Sequence, residues 1–364
     1  MHFKFKYIKY IMERNLTKIY INPNEPFKSS PNFICKETII KDNYDDYFFS
    51  DSFEVYYSYH NYNEIFLVSP NKNNEIRIVN LKTKKLIRVL RGHSALVCFV
   101  HHFFNNKNKI DYLISIDDNK ILIVWDLTNN FKIKQTLNLT YKNNISAMAI
   151  FDDKNDYIIT STYNNQNLAE DFTKIFNLEN GKFLRNIPGT NVLKTYYLLS
   201  WRNPKDNIWY VIDLCIGKIL LNKINGDDSP IILKSKVNFE SELTYYYGSL
   251  TGKDNNNLIA LSEAGYIHIW DLVDTNLLQT IRINNSILNV FLVWSERYIL
   301  VSDKTKCLYY IIDIIENRII SKVKKDVKDF IKAFKKIKHP LYGECLIICN
   351  HAHQIQIWTS PSKN

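Results

Sequence analysis

Short apolar runs of five to eight residues, separated by polar turns, recur along the chain from Phe33 onward. Runs of this length that are rich in β-branched and aromatic residues predict strands, and their regular spacing predicts an all-β domain. The clearest run is Ile121–Leu127, which contains the dipeptide Trp125–Asp126. A second run, Leu113–Ser115, precedes it across a polar turn, and Gly92–His93 lies further upstream. This pair of runs predicts two neighbouring strands of one sheet.

A window of 14 residues, from Leu113 to Asp126, is repeated along the chain as an apolar run, a polar turn and a second apolar run. Seven such windows end at residues 80, 126, 177, 222, 271, 313 and 359, with a mean interval of about 46 residues. Further apolar runs precede and follow most windows, so each repeat predicts four strands. Four-stranded repeats at this interval are typical of β-propeller blades, and seven windows predict seven blades.

The window that ends in Trp125–Asp126, together with the Gly-His pair upstream, resembles one repeat of the WD-repeat family. The resemblance covers roughly residues 33–360 and implies an all-β, seven-bladed β-propeller of four-stranded antiparallel blades. The seventh window has no apolar run after it to supply a fourth strand, whereas Phe33–Ile40 is a strand-like run with no blade of its own. Because closing the ring removes exposed sheet edges, we predict that Phe33–Ile40 pairs beside Gln354–Trp358.

The chain is predicted to divide into a basic, irregular leader of residues 1–32 and a propeller of residues 33–364. Residues 1–20 are basic and apolar with a single acid, a composition that is compatible with a mitochondrial targeting segment. They hold only one Arg and no Ser, however, which is unusual for such a segment. A poorly ordered tail, or a translation start at Met12 that leaves residues 1–11 untranslated, are the alternatives, and the choice stays open.

The segment 326–338 carries two conflicting patterns. Its apolar residues recur at helical spacing, with Lys on the opposite face. They are Val327, Phe330, Ile331, Phe334 and Ile337. The seventh blade needs a first strand at this point, so we predict a strand here and treat a helix as the alternative.

In the WD-repeat family a buried hydrogen-bond tetrad braces a blade, and such a network is favourable only when every polar atom has a partner. By register, the resemblance assigns these residues to the tetrad of the second blade: His93, Ser115, Asn119 and Trp125. Asp118 lies beside the Asn position, and Asp117 is a poorer candidate for the role of the serine. The fifth blade offers Trp270 and Ser262 but has Ala264 at the acid position. The other blades are predicted to be held by aliphatic and aromatic packing.

The same resemblance implies a protein-binding rim, because members of the family often contact partners through the residue just before the tetrad acid. Register transfers this role to the following positions: Lys72, Asp118, Glu263, Thr305 and His351. Their charges are mixed and define no single class of ligand. Such a transfer from fold to site is an analogy, so we state it as an expectation.

Several residue groups suggest chemistry without supporting it. Zinc prefers sulfur and imidazole ligands, which occur at close spacing in Cys345, Cys349, His351 and His353. Residues two and four apart on one strand, however, converge poorly on an ion. In each of the pairs His101–His102 and Asp117–Asp118, the two side chains point to opposite faces of the strand. Neither pair can therefore act as an acid-base dyad. With only 9 Gly and no phosphate-binding motif, we predict no catalytic residue, metal, cofactor or small-molecule substrate, and no enzyme activity.

Composition bears on the cellular compartment of the protein and on the charge of its partners. Its 6 cysteines are scattered without a CxxC pair, which favours reduced thiols in an intracellular, cytoplasmic protein. No stretch approaches 18 uninterrupted apolar residues, so we expect no transmembrane segment. The net charge of +10 favours acidic partners in general, and positive residues are densest near residues 322–338.

Two functions follow as expectations. A chain that consists almost entirely of blades predicts a non-catalytic protein–protein interaction scaffold or adaptor within a larger intracellular complex. The alternative is a peripheral binder of acidic phospholipid or RNA through the Lys-rich face near 322–338. An enzyme with a site in the central channel would need convergent polar residues there, which the sequence does not place.

Overall fold

A computed structural model describes the strands of the 364-residue chain and most of the turns between them. The described residues are 18–21, 34–38, 53–58, 64–105, 107–139, 141, 144–152, 156–163, 173–187, 195–226, 228–235, 243–262, 264–283, 286–306, 308–324, 331–339, 341–350 and 355–359. Almost all of them lie in strands or tight turns. The predicted all-β class is therefore confirmed.

Seven antiparallel four-stranded sheets form the blades of a β-propeller, which confirms the number of blades predicted from the repeat. Blade 1 consists of Glu54–Tyr57, Ile65–Pro70, Ile76–Asn80 and Lys85–Leu90. Blade 2 consists of Val97–Asn105, Ile110–Asp117, Ile121–Asp126 and Lys132–Asn138. Blade 3 consists of Asn144–Asp152, Asp156–Tyr163, Lys174–Asn177 and Phe183–Asn186.

The next three blades repeat this order of four consecutive strands. Blade 4 consists of Thr195–Arg202, Trp209–Cys215, Ile219–Lys223 and Ile231–Leu233. Blade 5 consists of Tyr245–Thr251, Asn257–Ser262, Tyr266–Asp271 and Asn276–Ile283. Blade 6 consists of Leu288–Val293, Tyr298–Asp303, Leu308–Asp313 and Arg318–Lys324.

Blade 7 is assembled from both ends of the propeller. Three strands are consecutive: Ile331–His339, Gly343–Asn350 and Ile355–Thr359. The fourth is Ile34–Thr38, which pairs antiparallel with Ile355–Thr359. The predicted closure of the ring is therefore confirmed. The predicted strand within 326–338 is confirmed for Ile331–His339, and residues 325–330 lie outside the described part of the chain.

One strand joins the sheets from the predicted leader. Lys18–Ile21 pairs in parallel with Asn276–Ile283 and becomes a fifth strand at the edge of blade 5. A fourth strand with a free edge presents unpaired backbone groups that can template such an addition. The edge of blade 5 is therefore extended by the chain itself.

Seven apolar clusters hold the blades together, and each cluster joins side chains of two neighbouring blades. The second and third strands of a blade are buried along most of their length, because both of their faces pack against adjacent blades. The first strands of most adjacent blades contact one another, which places them at the centre of the ring. The fourth strands accordingly form the circumference.

The Asp or Asn that ends most of the repeated windows caps the turn between the third and fourth strands. In blade 2, Asp126 Oδ1 accepts hydrogen bonds from the N–H groups of Thr128 and Asn129, at 3.0 and 2.9 Å. The same Asx turn recurs at Asn80, Asn177, Asp271 and Asp313. A short carbonyl or carboxylate side chain can satisfy two turn N–H groups at once, which explains this element of the sequence repeat.

Blade 4 departs from the predicted window by one residue. Asn222 pairs with Val211 inside the sheet and is buried, whereas the window placed it at the turn. The N–H of Ile224 bonds to Trp209 O, just as the N–H of Leu127 bonds to Asp111 O in blade 2. Asn222 therefore occupies the tryptophan position of its blade.

Candidate functional site

The brace of blade 2 is a closed hydrogen-bond network around Trp125. The Trp125 Nε1–H donates to Ser115 Oγ at 2.8 Å, and His93 Nε2 lies 2.7 Å from the same hydroxyl. The other ring nitrogen, His93 Nδ1, lies 3.1 Å from Asp117 Oδ2. Burial lowers the pKa of His93, although Asp117 opposes this shift. The network joins the loop before blade 2 to its second and third strands.

The acid of this network is Asp117, and the assignment to Asn119 requires correction. The second strand continues to Asp117, whose carboxylate is buried, while Asn119 is exposed in the turn and donates to Ser94 Oγ at 3.1 Å. Asp117 Oδ1 also accepts the N–H of Ile121 at 2.9 Å. The last strand residue therefore faces inward and caps the turn at the same time.

Blade 5 has the tryptophan without the brace. Ala260 occupies the position of Ser115, and Ser262 occupies that of Asp117, where its Oγ accepts the N–H of Tyr266 at 3.2 Å. The interpretation of Ser262 as the tetrad serine is therefore corrected. Trp270 is fully buried, and its Nε1–H has no hydrogen-bond partner among the described residues.

Three of the five predicted rim residues lie in exposed turns between the second and third strands of their blades. They are Lys72, Asp118 and Thr305. The Thr305 hydroxyl is engaged, since it donates to Asp303 Oδ1 at 2.7 Å. Glu263 and His351 lie outside the described residues. Protein binding at these five positions stays a prediction.

A glutamate, a lysine and a histidine converge near the axis of the ring, where the sequence placed no polar cluster. Glu54, on the first strand of blade 1, accepts a hydrogen bond from Lys335 Nζ at 2.9 Å and lies 3.3 Å from His101 Nδ1. Burial would raise the pKa of Glu54, but Lys335 and His101 outweigh it and hold the pKa well below its ordinary value. Tyr197, from blade 4, interacts electrostatically with Lys335 and Glu54.

This axial cluster, defined as Glu54, His101 and Lys335, links the first strands of blades 7, 1 and 2. Glu54 Oε1 also accepts a hydrogen bond from the backbone N–H of Val55 at 3.0 Å. Both carboxylate oxygens of Glu54 are thus engaged, by the ammonium of Lys335 and the ring nitrogen of His101. The cluster is suited to holding adjacent blades together across the point of ring closure.

The lysines of 322–338 do not share one strand or one position in the ring. Those of Arg318–Lys324 belong to the circumferential strand of blade 6, and those of Ile331–His339 belong to the axial strand of blade 7. Lys336 Nζ bonds to Trp294 O at 2.9 Å and lies 3.2 Å from Glu344 Oε1. The side chain of Lys332 lies outside the described part of the structure.

The cysteine-histidine group is divided between core and undescribed residues. Cys345 and Cys349 are buried within the apolar cluster between blades 7 and 1, and burial raises the pKa of the Cys345 thiol to about 11. His351 and His353 lie outside the described residues. Within the described ranges, no three His, Cys, Asp or Glu side chains are grouped in a way that could hold a metal ion.

Large apolar side chains are exposed along the circumference of blades 1 to 4. They lie on fourth strands and comprise Leu86, Ile87, Ile133, Phe183, Leu184, Ile231 and Ile232. The corresponding strands of blades 5 and 6 bury such residues, including Ile281 and Ile319. Between blades 1 and 2 the surface opens into a groove of about 590 Å³. Sequence reasoning treated these strands as ordinary blade edges and missed the patch.

Comparison with profiles of known protein families found no match, and comparison with curated proteins found none either. The described residues contain no helix long and apolar enough to cross a membrane. The arrangement of the strands therefore carries the classification of this chain: it is a seven-bladed β-propeller, a fold that commonly serves as a non-catalytic scaffold.

Proposed function

We propose that the chain is a diverged WD-repeat protein that acts as a non-catalytic interaction scaffold or adaptor within a larger intracellular complex. The brace formed by His93, Ser115, Asp117 and Trp125 supports the family assignment, since it reproduces the tetrad that the family uses. The exposed apolar surface on blades 1 to 4 supports the scaffold role.

That surface is the observation on which the proposal rests. Single exposed apolar residues are ordinary, whereas several on adjacent elements mark interaction sites. Four consecutive blades each present at least one large apolar side chain that is more than two-fifths exposed. Transferring such side chains from water into an interface is favourable, which gives the circumference a driving force for binding.

A quantitative affinity experiment in the native cell tests the scaffold role. The bait variant carries Ile133→Ser, Leu184→Ser and Ile232→Ser, one change on each of blades 2, 3 and 4. The matched control carries Leu341→Ser and Ile287→Ser, which are also exposed but lie outside these edges. We expect the first variant to lose reproducible protein partners and the control to keep them. The same partners on both baits, or none on the wild type, would contradict the proposal.

A non-catalytic role also agrees with the state of the axial cluster. Polar residues do converge at the axis, but each of them is directed at another member of the cluster. A general acid or base needs a proton within reach of a substrate, and mutual pairing occupies these groups. Turnover of a small substrate by the pure protein would overturn this part of the proposal.

The alternative, binding of acidic phospholipid or RNA through the face near 322–338, has less support from the geometry. Lys335 is bound to Glu54, so reversing its charge would test ring closure and not binding. Lys336 and Lys338 are exposed and are better positions for Glu substitutions. Salt-sensitive binding to anionic vesicles or RNA that is lost in this pair of substitutions would favour the alternative.

A further inference from the structure

The groove between blades 1 and 2 opens at the circumference of the propeller. Its lining comes from the fourth strand of blade 1, Lys85–Leu90, and from Trp125, Phe131 and Ile133 of blade 2. A second cavity, between blades 2 and 3, holds only about 10 Å³ and is lined at other positions, including Tyr112 and Leu178. There the side chain of Lys134 lies across the ring of Tyr112, with Nζ 2.9 Å from the phenol oxygen.

The floor of the groove is apolar. Leu90 and Trp125 close its base against the core between blades 1 and 2, and Ile133 is 46% exposed beside them. The backbone of Gly92 lies directly on this floor, since a Cβ atom there would be 3.1 Å from Ile133 Cδ1 and 3.2 Å from the Trp125 ring. The floor is therefore built by close packing, and it offers apolar contacts to an occupant.

The walls of the groove are basic. The charged residues that line the groove, within the described part of the chain, are Arg88 and Arg91, and no Asp or Glu lines it. Arg88 reaches towards the turn of blade 2, with its guanidinium 3.5 Å from Asn130 O, and Arg91 pairs with Glu75 at 2.7 Å. A site with an apolar floor and basic walls is complementary to a ligand that is apolar and acidic.

One wall is also the edge of a sheet. Lys85–Leu90 is the terminal strand in the order of blade 1, and no other strand in the described part of the chain pairs with its outer edge. The chain adds strands to two other blades in this way, Lys18–Ile21 to blade 5 and Ile34–Thr38 to blade 7. Strand addition is a common mode of peptide recognition, with backbone bonds for affinity and alternate side chains for specificity.

We propose that this groove binds an extended acidic and apolar segment of a partner protein, which adds as a strand along Lys85–Leu90. Its apolar side chains lie on Leu90, Trp125 and Ile133, and its carboxylates face Arg88 and Arg91. The inference rests on the proposed scaffold function and names the chemistry of one partner.

Fluorescence anisotropy on the full-length protein tests this, with a labelled decapeptide that alternates Leu with Glu as the probe. The matched control probe has Lys in place of Glu. We expect the acidic probe to bind, and Arg88→Glu or Ile133→Ser to weaken that binding by about tenfold or more. Leu341→Ser, which is exposed but lies outside the edges of blades 1 to 4, should leave the affinity unchanged. Thermal melts confirm that each variant is folded.

Hydrogen exchange gives a second readout that does not depend on a substitution. The bound probe should protect the amides of Lys85–Leu90 and leave those of Phe183–Asn186 unchanged. Equal binding of both probes, or insensitivity to Arg88→Glu together with protection elsewhere, overturns the proposal. If the probe fails while the Ile133, Leu184 and Ile232 variant still loses partners in cells, the scaffold function stands and the groove assignment falls.

A peptide with the sequence of residues 42–51 forms a third arm, because this segment has four acids and four aromatic residues. Suppose that this peptide displaces the labelled probe at a lower concentration than the unlabelled alternating peptide does. The groove would then be assigned to the chain's own segment. That outcome overturns the assignment to a partner. Weaker competition by residues 42–51 supports it.

Discussion

Blades 2 and 5 both carry Trp-Asp at the end of the third strand, yet they treat the tryptophan differently. Trp125 donates to Ser115, which connects it to His93 and Asp117. Trp270 is equally buried but has no acceptor among the described residues, and it packs against the ring of Tyr245 at a centroid distance of 6.0 Å. The indole is therefore retained for its apolar volume, and its hydrogen bond is a separate and dispensable feature.

The difference originates at one position of the second strand. This position holds Ser115 in blade 2, Ala260 in blade 5 and Asp213 in blade 4, as the equivalent backbone hydrogen bonds show. Asp213 is fully buried and accepts a hydrogen bond from Cys215 Sγ at 3.1 Å. Burial raises the pKa of this carboxyl to about 6. One structural position thus contains a hydrogen-bonded hydroxyl, a methyl group or a buried carboxyl group.

The largest expected effect is removal of either tryptophan. Trp125→Ala and Trp270→Ala should each lower the free energy of unfolding by about 3–5 kcal/mol, as deletions of large aromatic residues from cores do. Trp125→Ala should be the more severe, because it also deprives Ser115 of its donor. Denaturant unfolding measures both. A loss below about 1 kcal/mol at Trp125 would contradict the assignment of this residue to the blade core.

The next effect is a pH dependence due to Asp213. The Asp213 carboxyl has an ordinary pKa of 3.8, and in the folded state this pKa is raised to about 6. As the pH rises through this interval, ionisation favours the unfolded state, so the folded state loses stability. Relative to Asp213→Asn, the wild type should lose about 2–2.5 kcal/mol of unfolding free energy between about pH 4 and pH 7. Unfolding curves at both pH values test the sign, and a constant difference would show that the carboxyl titrates normally.

A smaller effect isolates the hydrogen bond of Trp125. Trp125→Phe and Trp270→Phe remove the same ring and the same N–H group, but only the first N–H has a partner. The loss at position 125 should therefore exceed that at position 270 by about 1–2 kcal/mol. Each variant serves as the volume control for the other. Equal losses would mean that the brace adds nothing beyond packing.

The smallest effect comes from adding the missing hydroxyl. Ala260→Ser supplies an acceptor at the position from which Ser115 serves Trp125, so stability should change by less than about 1 kcal/mol. Val301→Thr adds a hydroxyl at the equivalent position of blade 6, where Ile312 replaces the tryptophan. That unpartnered hydroxyl should cost about 1–3 kcal/mol. A larger loss at position 260 would contradict the equivalence of the two blades.

The fold was predictable because its determinants are local and repeated. The alternation of apolar runs with turns, and the Asx cap exemplified by Asp126, recur often enough to count blades. The closing strand was found because Phe33–Ile40 had no other place in the repeat. Neither inference needed knowledge of which side chains meet across blades.

The site was less predictable because its determinants are not local. Asp117 and Asn119 are two positions apart in the sequence. Only the structure shows that the strand ends at Asp117, so that Asp117 faces inward and Asn119 lies in the turn. Glu54 and Lys335 are 281 residues apart, and no spacing rule connects them. The apolar circumference was missed because Ile133 or Phe183 in a strand pattern does not reveal whether another blade covers it.

Closure of the ring by Ile34–Thr38 constrains the order in which the protein can be completed. Translation produces this strand before every blade, whereas its partner, Ile355–Thr359, is made more than 300 residues later. At about 5–20 residues per second, the two segments are separated by roughly 15 to 60 seconds of synthesis. Until then, Ile34–Thr38 lacks its partner strand, and its open edge can pair with other chains. Ring closure therefore cannot begin until Ile355–Thr359 has been made, and nascent chains need protection from aggregation during that interval.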